Sequence, residues 1–263
     1  MLDGNGALVV AEQRIRKRDR FKARTKRFVE LPLSLRTSDL PKRAASAGVM
    51  LIIAGAALTA GGWWLDGFVA LVALVCFGEF ARLVWRATKR WSARAVSLLA
   101  GAAYIGTAAA IIMQIESRPL ILLLLALVIC VDTFAYFFGR TLGGPKIAPK
   151  ISPSKTWAGL LGGVVGASCA LMVYRLIGGS GSQVSERIVT GDLLFLVLAG
   201  GLVAVCAQAG DFFESWLKRR AHMKDSSRLI PGHGGVFDRI DGLLPVAIIF
   251  GGLLSHSSSL VAA

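Results

Sequence analysis

The sequence predicts an all-α, polytopic integral membrane protein of about seven transmembrane helices behind a basic cytoplasmic N-terminal segment. Three observations carry that expectation. Apolar residues make up 54% of the 263 positions. They are gathered into runs of about 18 or more, the length that crosses the hydrocarbon core of a bilayer. Lys and Arg outnumber Asp and Glu 30 to 16, and they fall in alternate breaks between those runs. That alternation places the N-terminus on the cytoplasmic side. The net charge of +14 is then accounted for by membrane orientation, and no nucleic-acid partner is required.

Taken in order, residues 1–43 are polar, with the basic core "RIRKRDRFKARTKRF". No apolar core followed by a small-residue cleavage site precedes it, so it does not read as a secretory signal. Ile15, Phe21 and Phe28 allow an interfacial amphipathic helix, and a disordered basic tail fits equally well. Candidate spans follow at 44–61, 66–85, 95–115, 119–139, 157–177, 191–212 and 242–261. Three regions result: the basic segment 1–43, an N-terminal transmembrane region 44–118, and a C-terminal catalytic transmembrane region 119–263. Cys76, Cys130, Cys169 and Cys206 each sit inside an apolar run without CxxC spacing, and read as packing residues. "GLLGGVVGASCA" at 159–170 has the small residues that let membrane helices approach closely.

Three apolar runs carry a carboxylate: Glu79, Asp132 and Asp211. Such groups are costly inside a membrane unless they face a wet cavity or a partner. For Glu79 the simpler expectation is an i, i+3 pair with Arg82. Asp132 and Asp211 have no such neighbour. Asp211, Glu214, Ser215 and Lys218 share one helical face, with Arg219 beside them. The period then breaks at "SSRLIPGHGG", whose glycines free the backbone to approach a ligand. Asp238 and Asp241 follow, i and i+3 in "DRID". Carboxylates with a hydroxyl suit a hard cation, Mg²⁺ above all, and the adjacent Lys and Arg suit phosphate oxygens. Together these are the parts of phosphoryl or nucleotidyl transfer. His233 remains open between a general base, a phosphate donor and a loop cap.

At these residues the chain resembles the phosphatidate cytidylyltransferase (CDP-diacylglycerol synthase) family. The family signature is matched without gaps by Ser215, Leu217, Lys218-Arg219, Lys224-Asp225, His233-Gly234-Gly235 and Asp238-Arg239-Ile240-Asp241. "DTFAYFFGR" at 132–140, "SPSKTWAG" at 152–159 and "GDFFES" at 210–215 look like further family blocks. The resemblance implies transfer of CMP from CTP to phosphatidic acid, with Mg²⁺, giving CDP-diacylglycerol and pyrophosphate. It implies metal ligation by Asp211, Asp238 and Asp241. Catalytic roles fall to Lys218, Arg219, Lys224, Asp225 and His233. Substrate contacts fall to Asp132, Ser152, Lys155, Thr156, Ser215, Gly234, Gly235 and Arg239. It leaves room for a second cation beside Mg²⁺ and for a homodimer, and expects a site facing the cytoplasm of a bacterial inner membrane. Two rivals stand beside it: a CTP-using kinase or cytidylyltransferase of another membrane lipid, and an ion-path transporter through Asp132 and Asp211. The transporter would want polar sites near mid-membrane and repeat symmetry, and no repeat is visible.

Overall fold

A computed structural model of the chain describes residues 40–177 and 192–253. The basic segment before residue 40, the Glu186–Arg187 loop and the final ten residues lie outside the described residues. Two compact units are distinguished, 1–49 and Met50–Ala263. Of the first, only the opening turns of a helix are described; everything below concerns the second.

Six long helices lie where the first six spans are expected. They are α1 (Leu40–Ala60), α2 (Gly62–Ala87), α3 (Trp91–Gln114), α4 (Arg118–Thr141), α5 (Trp157–Leu176) and α6 (Leu193–Arg220). Five of them, α2 to α6, are long and apolar enough to cross a membrane, while α1 carries a shorter apolar stretch, Ala44–Ala60. The protein is an all-α membrane protein. Local chemistry sets the boundaries. Gly61 and Gly62 both take positive φ, 66° and 50°, so the chain turns between α1 and α2 without a Cβ penalty. Arg94 donates to the carbonyls of Thr88 (2.8 Å) and Trp85 (3.1 Å), closing the last turn of α2 from the first turn of α3. Thr156 caps α5, its Oγ1 accepting from Gly159 N at 3.0 Å.

The structure differs from expectation in two places. The fourth loop contains a β-hairpin, β1 (Lys146–Ala148) antiparallel to β2 (Ser152–Thr156). The seventh span is described only to residue 253. It opens as short helices, α7 (Phe237–Ile240) and α8 (Leu243–Val246), and passes into a π-helix, Ala247–Gly251. Pro245, with no N–H to give to the helical ladder, stands where the regular pattern gives way.

The core forms where α4, α5 and α6 pack side by side, with Leu124, Leu127, Val131, Ala167, Leu171 and Val203 fully buried. The α4–α5 approach depends on glycine. A Cβ at Gly162 would lie 2.7 Å from Phe134 O, and one at Gly166 would lie 2.5 Å from Cys130 O. Any side chain there would force two backbones apart, which is the small-residue logic of helices in lipid.

Candidate active site

The segment from α6 to α8 is held by two carboxylates acting as anchors. Asp238 accepts from Ser226 N (2.9 Å), Ser226 Oγ (3.0 Å), Gly235 N (2.8 Å) and Lys218 Nζ (2.8 Å). Burial alone would raise its carboxyl. Hydrogen bonds from Lys218 and the Gly235 amide, with the Lys218 charge, outweigh burial and hold it far below the usual carboxylate range. The second anchor is Glu79, from α2, only 6% exposed. It accepts from Ser226 Oγ (2.9 Å), Ser227 Oγ (2.5 Å), Val236 N (3.1 Å) and Phe237 N (2.8 Å). The expected Glu79–Arg82 pair is therefore corrected: among the described residues Arg82 makes no ion pair with it. A buried carboxylate offered four donors has no lone pair to spare for an exposed arginine.

The glycine-rich loop takes its shape from within. Ile230-Pro231-Gly232-His233 forms a β-turn closed by His233 N donating to Ile230 O at 3.0 Å, with Gly232 at φ 78°. Pro and a positive-φ Gly at the two central positions are the type II pattern. Gly234 also has positive φ, 83°. A Cβ on Gly235 would collide with Ser226 Oγ and the Glu79 carboxylate. The amides of Gly235, Val236 and Phe237 thus serve protein carboxylates, so loop amides expected for a ligand are taken up in building the loop. Gly210 has a parallel role on α6, where a Cβ would strike the Asp241 carbonyl oxygen.

Beside these anchors opens a polar cavity of about 640 Å³. Nine expected residues line it: Asp132, Ser152, Lys155, Thr156, Asp211, Ser215, Asp238, Arg239 and Asp241. They come from α4, the hairpin, α6 and the segment around α7. The hairpin is what carries Lys155 to α6, where its Nζ donates to Asp211 Oδ2. Burial would lower Lys155, but the Asp211 charge and hydrogen bond prevail, so it stays ammonium. Lys218 bridges Glu214 (2.5 Å) and Asp238 (2.8 Å) from the wall behind. Arg219 instead reaches the Ile151 carbonyl at 3.4 Å. Lys224, Asp225, His233, Gly234 and Gly235 do not line the cavity; they belong to the loop that frames it.

Sequence reasoning missed Gln208, Ser154, Tyr136, Arg140 and Lys146 as lining residues. Gln208 is 3% exposed, and neither its Nε2 nor its Oε1 has a protein hydrogen-bond partner. Its position, i−3 from Asp211, was the available signal, since such a pair shares a helix face.

The lining carries four carboxylates. Burial first, and then the neighbouring Asp211 charge, push the Asp241 carboxyl up to about 8. Among the described residues no group of three His, Cys, Asp or Glu side chains could hold a metal ion on its own. The donor set nonetheless fits a hard divalent cation that keeps much of its shell for water and substrate, because such an ion needs only one or two carboxylates from the protein.

Residues 85–256 match the cytidylyltransferase family. A phosphatidate cytidylyltransferase of Brucella abortus (biovar 1, strain 9-941) is 36% identical over 224 residues, covering 82% of this chain and 73% of the relative. One from Rickettsia bellii (strain RML369-C) is 36% identical over 198 residues, covering 73% of this chain and 83% of the relative. One from Rickettsia prowazekii (strain Madrid E) reaches 39% over a shorter stretch of 138 residues, 52% of this chain and 59% of the relative. The likeness therefore extends well upstream of the C-terminal blocks that suggest it in the sequence. With the family match spanning α3 to α8 and every residue of the cavity, the chain belongs to the cytidylyltransferase family.

Proposed function

We propose that the protein is a phosphatidate cytidylyltransferase, transferring CMP from CTP to phosphatidic acid and releasing pyrophosphate. The observation that carries this is a cavity at the polar ends of apolar helices that gathers Lys155, Arg239 and four aspartates from four parts of the chain. A lipid phosphate and a nucleotide triphosphate can meet there, one from the bilayer and one from the water.

A phosphatidate oxygen attacks the α-phosphorus of CTP in line. The new P–O bond forms as the bond between the α-phosphorus and its bridging oxygen breaks, and pyrophosphate leaves with that electron pair. Because the attacking phosphate is already ionised, no protein nucleophile is needed. The protein's part is positioning and charge neutralisation. Asp211 and Asp241 would hold Mg²⁺, which supplies charge neutralisation on the triphosphate when bound; Asp238, expected beside them, would join only by giving up one of its four donors. Lys155 sits on Asp211 and can pass to a phosphate oxygen when one arrives. Lys218 holds Asp238 and Glu214 in place, Arg239 faces the cavity, and Ser152, Thr156 and Ser215 offer hydroxyls along its wall. Lys224, Asp225 and His233 stand on the loop that frames the cavity and would act on the substrates from there. The cavity opens to the cytoplasm of the bacterial inner membrane, where CTP is available.

The purified protein, given labelled CTP and phosphatidic acid with Mg²⁺, is expected to form CDP-diacylglycerol and pyrophosphate in equal amounts. Asp211→Asn should lower turnover at least about a hundredfold, a loss typical of removing a group that stabilises transition-state charge. Phosphorylated lipid with CDP as co-product would identify a CTP-dependent kinase instead, and unimpaired Asp211→Asn would remove the metal assignment.

A further inference from the structure

A second cavity lies on the far side of α6 and has a different character. It is a groove of about 530 Å³ walled by α2, α3 and α6, with Phe80, Tyr104, Phe213 and Leu217 among its lining. Gly210 and Pro245 close its deep end, and Ala93, Trp216 and Arg220 stand at its mouth. From Ala93 to Tyr104 it follows α3 for about 16 Å, close to the depth of one leaflet of a hydrocarbon core of about 30 Å. The mouth is marked as a membrane interface. Trp85, Trp91 and Trp216 are all exposed there, as tryptophans at the headgroup level are. The Arg220 guanidinium stacks on Trp216 at 4.9 Å, and Arg94 stacks on Trp85 at 4.4 Å.

We propose that this groove holds one acyl chain of a resident anionic phospholipid, with the lipid's phosphate at Arg220. An apolar slot one leaflet deep fits a lipid chain. A rim whose only charged lining residue, among the described residues, is an arginine fits an anionic head in preference to a zwitterionic one. This lipid is not the proposed substrate in its reacting position, because Gln208, Asp211 and Ser215 face the other cavity and the body of α6 stands between. It would pack against the helix that carries those residues and fill a slot that protein side chains leave open.

The test is native mass spectrometry of the full chain in non-ionic detergent, with equimolar dioleoyl-phosphatidylglycerol and dioleoyl-phosphatidylcholine. Wild type should retain one phosphatidylglycerol, favoured about fivefold over phosphatidylcholine. Arg220→Gln should keep a lipid adduct but bring the two lipids to parity, and Ser97→Trp, which fills the groove, should lose both adducts. Parity in the wild type, or an undiminished adduct in Ser97→Trp, overturns the proposal. Since Ser97→Trp can fail by misfolding, phosphatidylglycerol carrying a mid-chain diazirine is also photolysed on the wild type. Label at Phe80, Tyr104 or Phe213 supports the groove as the site, and label confined elsewhere overturns it. A disulfide between two copies of an Ala93→Cys variant in lipid bilayers means that a second copy covers the mouth, and also overturns it.

Discussion

At the scale of single residues, the Glu79 carboxylate takes two hydroxyls and two amides from a segment that begins 147 residues further along the chain. Removing it strands Phe237 N and the Ser226 hydroxyl's second contact in a buried setting, where an unmade hydrogen bond costs about 1–3 kcal/mol. Glu79→Ala is therefore expected to destabilise the protein by about 3 kcal/mol and to abolish turnover through the loop, although Glu79 does not line the cavity. Thermal unfolding in detergent alongside the cytidylyl-transfer assay checks both. Gln208 should behave in the opposite sense. Its buried amide has no protein partner, so Gln208→Leu should leave stability unchanged or raise it by about 1 kcal/mol while turnover falls at least tenfold. Equal activity would show that the amide serves no ligand. These two residues also mark where sequence reading stops. Asp132 and Asp211 stand out because charge in an apolar run demands a reason, and Asp238 and Asp241 because they stand i and i+3 in "DRID" beside the glycine-rich loop. Gln208 is neutral and passes unnoticed in "AVCAQAGD". Glu79 is noticed, but its real partners lie too far along the chain to compete on paper with an arginine one turn away.

At the scale of elements, the long helices are legible because run length and helix length are the same quantity seen twice. Their ends are legible where Gly, Pro or a Thr cap interrupts. The β1–β2 hairpin is not, because its strands of three and five residues are too short to show an alternating pattern, and its pairing is fixed by packing against α4 and α6. Yet it is the hairpin that delivers Lys155. The C-terminus of α6 offers a separate test. Met223 N donates to Lys218 O (2.9 Å) and His222 N to Arg219 O (3.2 Å), with His222 at φ 53°. This is a Schellman ending with histidine in the place that glycine usually takes. His222→Gly should raise stability by about 1 kcal/mol by relieving the left-handed backbone, with activity retained. A lower melting temperature would mean that the imidazole makes contacts worth more than the strain.

At the scale of the whole molecule, α6 separates two environments. One face lines a polar cavity with Gln208, Asp211 and Ser215; the other lines an apolar groove with Gly210, Phe213 and Leu217. A run of this composition reads in sequence as one amphipathic end on an apolar helix, and only the packing of α2 and α3 reveals the second cavity. The division of the chain into an N-terminal and a catalytic region also takes on a different meaning, since α2 supplies an anchor of the loop beside the site. A chain starting after α2, with residues 119–263 intact, is expected to enter membranes and to lack activity. Supplying residues 1–90 as a separate polypeptide should restore part of it in the same membrane assay.

The same tether from Glu79 to Ser226, Ser227, Val236 and Phe237 bears on how the protein is made. The ribosome releases α2 into the membrane long before the segment that must find it exists. Through that interval the Glu79 carboxyl waits without its four donors, in a half-formed bundle, and neither the loop nor the cavity beside it has its final form. Activity therefore arrives late and all at once, when the last turns meet the second helix. A stalled or clipped chain remains a passive occupant of the bilayer.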